Sequence, residues 1–149
     1  MNSLNIKMTS KGLKYPILAF GNDKSVIMFE NVDQFTTCGE RSIKKGGYFD
    51  NLRVVDASGN CYLVVSCKKI KNVGLFWGYD IFLAKTIKAE FDLVQDTTPI
   101  SLEDFKKKVK AHIRVDADFY ESSGFTINEL IDQISKTSSY KEIMRVIGK

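Results

Sequence analysis

At 149 residues with a formal net charge of +4, the chain is long enough to bury roughly 70% of its unfolded surface in one core without disulfide or metal staples. Its 44% hydrophobic and 27% charged residues exclude the composition of disordered chains. The 22 basic against 18 acidic residues describe a mixed surface, less basic than is usual for a nucleic-acid domain, and charge alone names no partner.

No apolar run approaches the ~18 residues of a membrane span, and the first twenty residues lack a signal-peptide core, so a cytoplasmic protein with no membrane partner is expected. In chain order, residues 13–20 (LKYPILAF) and 25–30 (SVIMFE) are short runs rich in β-formers. The turn-forming tetrad Gly21-Asn22-Asp23-Lys24 separates them and suits a hairpin. Pro16 has no N–H to donate, which places the first of these strands at a sheet edge. Next comes CGERSIKKGGYF, Cys38 to Phe49, dense in glycine and in positive charge. It is not a Walker phosphate loop, because the fifth residue after Gly39 is Lys44 and no Ser or Thr follows Lys45.

Residues 52–56 (LRVVD) and 61–70 (CYLVVSCKKI) flank a reversal at Ala57-Ser58-Gly59-Asn60 and form the clearest hairpin. The Asp56 turn lacks the further carboxylates of a calcium loop. Cys61 and Cys67, on one strand, lie about 20 Å apart at ~3.3 Å per residue. With Cys38 they are expected as free, mostly buried thiols. Residues 79–94 alternate strictly from Lys85 onward, which predicts a long strand with one wet face. After Pro99 the period changes. Leu102, Phe105, Val109 and Ile113 recur at three and four behind the N-cap Ser101, predicting a helix over 101–113. Thr126/Glu129 and Ser139/Glu142 are capping boxes that open helices over 126–136 and 139–147. The expectation is one α+β domain over residues 1–149. An antiparallel sheet of about five strands, between about 13 and 94, is followed by about three C-terminal helices packed on one face or end.

Chemistry is sparse. The single histidine, His112, ends the first of these helices and has no second histidine to work with, which favours a half-buried filler or helix-dipole partner over a catalytic base. Asp116, Asp118 and Glu121 follow, but with no phosphate loop beside them a metal site is not expected. No cofactor, metal or catalytic residue is assigned, and the chain is read as a binding protein rather than an enzyme. Two stretches combine aromatic residues with basic or glycine neighbours. Arg41, Lys44, Lys45 and Tyr48 lie in the first, and Phe76, Trp77 and Tyr79 in the second. Trp, Tyr and Arg anchor interfaces, so these seven are the candidate partner-binding residues. The alternatives are core packing for Trp77 and a solvated loop for the lysines. A nucleic-acid module would use the same groups, stacking bases on Tyr48 or Trp77 while Lys68, Lys69 and Lys71 follow phosphates; a small enzyme is the remaining alternative.

The D-x-S-G-N hairpin at Asp56–Asn60, the aromatic strand after it, the L-x-D-F helix at Leu102–Phe105 and the S-Y-K-E-I helix at Ser139–Ile143 form a layout over residues 13 to 147. This layout resembles the small immunity proteins that bacteria encode beside polymorphic and contact-dependent growth inhibition toxins. FTINELIDQISKTSSYKEIMRVIG, residues 125–148, carries the closest likeness. The resemblance implies a non-catalytic inhibitor, held in the cytoplasm, that binds a cognate toxin domain, such as a nuclease, and blocks its active site or substrate channel. The net charge of +4 departs from the acidic balance of inhibitors that mimic nucleic acid.

Overall fold

The computed structural model describes residues 7–21, 25–44, 47–72 and 86–148. Among these residues seven strands form one antiparallel sheet: β1 (Lys7–Thr9), β2 (Ile17–Phe20), β3 (Val26–Phe29), β4 (Thr37–Gly39), β5 (Arg53–Val55), β6 (Cys61–Asn72) and β7 (Thr86–Thr97). The helices among the described residues are α1 (Val32–Thr36), α2 (Leu102–Val115), α3 (Ala117–Ser122), α4 (Ile127–Ser135) and α5 (Tyr140–Ile147). The α+β class and the clustering of helices at the C-terminal end agree with the sequence patterns. Seven strands replace the expected five because β1 and β4 span only three residues each, too short for a period of two to register. The short α1 and α3 are additional for the same reason. Residues 79–85 of the long alternating strand lie outside the described residues.

The strand order is β1-β7-β6-β5-β2-β3, and β4 also pairs with β7. β7 is therefore the organising strand. β6 runs along one edge of it, while β4 at Thr86–Lys88 and β1 at Asp92–Val94 share the other. The β2–β3 hairpin closes with Gly21 N donating to Ser25 O. In the β5–β6 hairpin the Asp56 carboxylate accepts from the Ser58 and Asn60 amides at 2.9 and 3.0 Å. That carboxylate is 1% exposed and acts as an Asx-type organiser of the turn, with no ion required.

Pro16 does not make β2 an edge. β2 pairs with β3 on one side and β5 on the other. The strand begins at Ile17, so the missing N–H of Pro16 falls outside the ladder, and the interior position costs nothing. Alternation along β2 then divides the molecule. Ile17 and Ala19 join a core with Phe35, Phe49, Phe91 and Leu93. Leu18 faces the opposite way, into a core with Val55, Phe105, Ile113, Leu130 and Ile143.

The helices forming that second core start where the capping residues predict. Ser101, Thr126 and Ser139 each accept from the backbone N–H three residues on, at 3.1, 3.1 and 3.2 Å. Each such cap stabilises its helix by ~1 kcal/mol.

Candidate partner-binding surface

The glycine-rich stretch folds into a 3-10 turn at Glu40–Ile43, followed by tight turns. Gly47 N donates to Lys44 O at 2.7 Å and Phe49 N to Ser42 O at 2.9 Å. A Cβ on Gly47 would meet Arg41 O at 2.5 Å and Ser42 O at 2.6 Å. Close backbone approach, rather than conformational freedom, requires glycine there. Tyr48 is half-buried against the first core, its ring edge-on to Phe49 at 5.1 Å, while Phe49 stacks on Phe91 at 4.5 Å. The turn is thus anchored from below by two aromatic residues and carries Arg41 and Lys44 outward, both exposed. Lys45, Phe76, Trp77 and Tyr79 lie outside the described residues.

Arg41 and Lys44 do not stand alone. The turn packs beside β6, where Lys69 approaches Glu40 at 3.8 Å. On the outward face of the same ribbon, Lys68 approaches Glu90 at 3.8 Å and Lys88 bonds Asp33 at 2.8 Å. The Lys88 bond and charge hold the Asp33 carboxyl below the usual carboxylate range. Lys71 sits directly across from Lys88. On this outward face Lys68, Lys71 and Lys88 stand beside Glu90, Asp33 and Asp92, whereas Lys69, opposite Ala89, lies on the core-facing side with Glu40 and the turn that carries Arg41 and Lys44. Sequence reading found Arg41, Lys44 and the β6 lysines individually. It missed the Lys71–Lys88 opposition, because irregular register between Lys69 and Lys71 hides which β6 residue faces which on β7.

Two clefts flank this architecture. One, about 240 Å³, lies beside β7 between β1 and α1 and is lined by Ser10, Thr36, Ile70 and Lys88 among others. The other, about 270 Å³, lies between β3 and the helices, with the half-exposed Ile27 and Phe119 on its walls.

The residues weighed for catalysis separate. His112 sits in the last turn of α2 with its ring edge-on to Tyr120 at 6.1 Å. Burial lowers its pKa, partly offset by Asp116, so it is held towards the neutral form and acts as filler more than as a dipole partner. Cys38 and Cys67 lie against the other core, where burial pushes both thiols up to about 11. Asp116 is the cap residue between α2 and α3 and Asp118 lies within α3, so the two do not alternate along one extended segment. Among the described residues, no three His, Cys, Asp or Glu side chains converge to hold a metal ion, and no helix is long and apolar enough to cross a membrane. Compared with protein-family models, curated proteins and solved structures, the chain finds no match in any of the three.

Proposed function

We propose that this chain is a non-catalytic immunity protein that binds and neutralises a cognate bacterial toxin domain in the cytoplasm. The observation that supports this reading is the Glu40–Ile43 turn. Tyr48 and Phe49 anchor it to the core, and it carries an exposed arginine and lysine that make no ion pair among the described residues. A turn whose backbone is packed on the core and that presents Arg is an arrangement from which interface anchors are built, since less backbone has to be ordered on binding than in a free loop. The layout, which resembles that of immunity proteins, points to a toxin as the partner.

Co-expression with the toxin domain encoded by the adjacent reading frame should restore growth, and the two proteins should co-elute on size exclusion. A toxin that neither binds nor is silenced would overturn the reading. A nucleic-acid module is the second reading, favoured by the exposed Lys68 and Lys71 on one strand. It requires affinity for single strands whose salt slope falls by about one for each lysine removed.

A further inference from the structure

We infer that β3, the outer strand of the sheet, pairs antiparallel with β3 of a second copy of this chain about a two-fold axis at Ile27, joining the two sheets into one. The inference goes beyond the toxin reading and uses none of the residues assigned to the toxin surface.

β3 ends the strand order, with β2 on its inner side and, among the described residues, no strand on its outer side. Gly21 N donates to Ser25 O at 2.9 Å, and the pairs from Phe20 with Val26 to Ile17 with Phe29 continue that register without a shift. Residues that turn their backbone groups toward a neighbouring strand alternate with residues that turn them away. Ile27 and Phe29 therefore direct theirs at β2, while Val26 and Met28 direct both N–H and C=O outward. Native edge strands are blunted with lysine, proline or a bulge. The strand VIMF carries none of these, and Glu30, the first charge beyond it, is held by Arg145 at 2.9 Å.

Outward backbone groups are met by another extended backbone, and a second β3 meets all of them. With Ile27 opposite the partner's Ile27, Val26 of each copy lies opposite the partner's Met28. Each of these two pairs exchanges two hydrogen bonds. A shift of two residues either way leaves Val26 or Met28 beyond the partner strand. No residue of the strand is charged, so self-pairing sets no like charges opposite, and Ile27, 40% exposed, is covered by its own copy. The ladder alone falls short of the ~1,000 Å² of a specific interface. However, the two-fold runs perpendicular to the sheet and keeps both helical layers on one side. The cleft of about 270 Å³ beside β3, walled by Phe119, Phe125 and Ile147, then opens toward its counterpart, and Phe119, 60% exposed, adds apolar area to the joint.

Sedimentation equilibrium of the full chain should show the mass rising from 16.9 kDa toward twice that value as concentration passes from micromolar to millimolar. Amide exchange carries the signature of this geometry. The Ile27 and Phe29 amides, bonded to β2, should exchange slowly at every concentration, whereas those of Val26 and Met28 should slow by about tenfold or more only as the dimer forms. Ile27→Lys and Val26→Pro should each weaken dimerisation by about tenfold or more, with little change in the Tm of dilute protein, because position 27 is already half open and the Val26 N–H serves no bond in the single copy. If Val26→Pro does not fold, Ile27→Lys and the exchange pattern of wild type decide the matter. A chain that keeps the monomer mass at millimolar concentration, Val26 and Met28 amides indifferent to concentration, or a dimer that Ile27→Lys leaves intact would overturn the inference. Protection of those two amides only when the toxin domain is added would assign the edge to the toxin and overturn it as well.

Discussion

His112 illustrates how one buried ring sets a pH dependence without any catalytic role. Burial against Tyr120 holds its folded pKa below the ordinary 6.5, with Asp116 opposing. The unfolded chain therefore binds the His112 proton more readily than the folded one. Its contribution to stability is full above about pH 7 and is lost as pH falls through 6.5 towards the folded value. His112→Gln, which keeps a polar side chain but removes the titration, should flatten the fall in Tm between pH 7 and pH 5. An identical slope in wild type and variant would show that carboxylates alone govern that range. The same variant should leave partner binding intact, because the ring lies on the helical layer, away from the ribbon.

At the scale of elements, the β5–β6 turn is tied to the helices at Gly59. Gly59 has φ +85 and sits so close to Tyr140 that an added Cβ would meet the ring at 2.6 Å. Ile100 N donates to Gly59 O at 2.9 Å, and Tyr140 donates its hydroxyl proton to Ile100 O at 2.5 Å. Turn, linker and α5 thus meet across one glycine. Gly59→Ala combines a left-handed φ with a clash against an aromatic ring, and should cost about 2 kcal/mol in urea denaturation, above the ~1 kcal/mol of the φ effect alone. Tyr140→Phe in the same background measures the share due to the ring position. A loss no larger than that of a surface Ala substitution would mean the joint is not tight.

Much of this element structure was legible in the sequence, and the reasons are local. Ser101, Thr126 and Ser139 cap helices by contacts three residues away, so the boundaries of α2, α4 and α5 are written in adjacent residues. The Asp56–Asn60 reversal is equally self-contained. By contrast β1 and β4 exist only because β7 offers them a ladder, and α3 is held by Tyr120 entering a core built from distant segments. Pro16 misled for a related reason: proline constrains its own N–H, and the residue after it begins a strand that two neighbours complete. At the proposed surface, Arg41 and Lys44 were readable as residue types. The opposition of Lys71 and Lys88 depends on cross-strand register, which no single segment encodes.

For the whole molecule, β2 is the element that makes two cores one cooperative unit. Ile17 and Leu18, adjacent in the chain and both fully buried, belong to opposite cores. Ile17→Ala and Leu18→Ala should each cost about 2–5 kcal/mol, the range for a large buried aliphatic truncated to alanine. More tellingly, each should lower hydrogen-exchange protection on both sides of the sheet. Loss confined to the helices after Leu18→Ala, or two resolved urea transitions, would mean that the layers unfold separately.

The tandem occupation of one β7 edge also has a consequence for the chain as it leaves the ribosome. β1 emerges first, yet its partner is the segment containing Val94, so at ~10 residues per second the first strand spends on the order of ten seconds without the ladder it needs. The hairpins β2–β3 and β5–β6 close between near neighbours in the meantime. β7 then arrives to collect β6 on one side and, on the other, two strands synthesised long before it. Nascent chains stalled before β7 clears the exit tunnel should leave Lys7–Thr9 open to protease, and chains stalled after α2 has emerged should protect it.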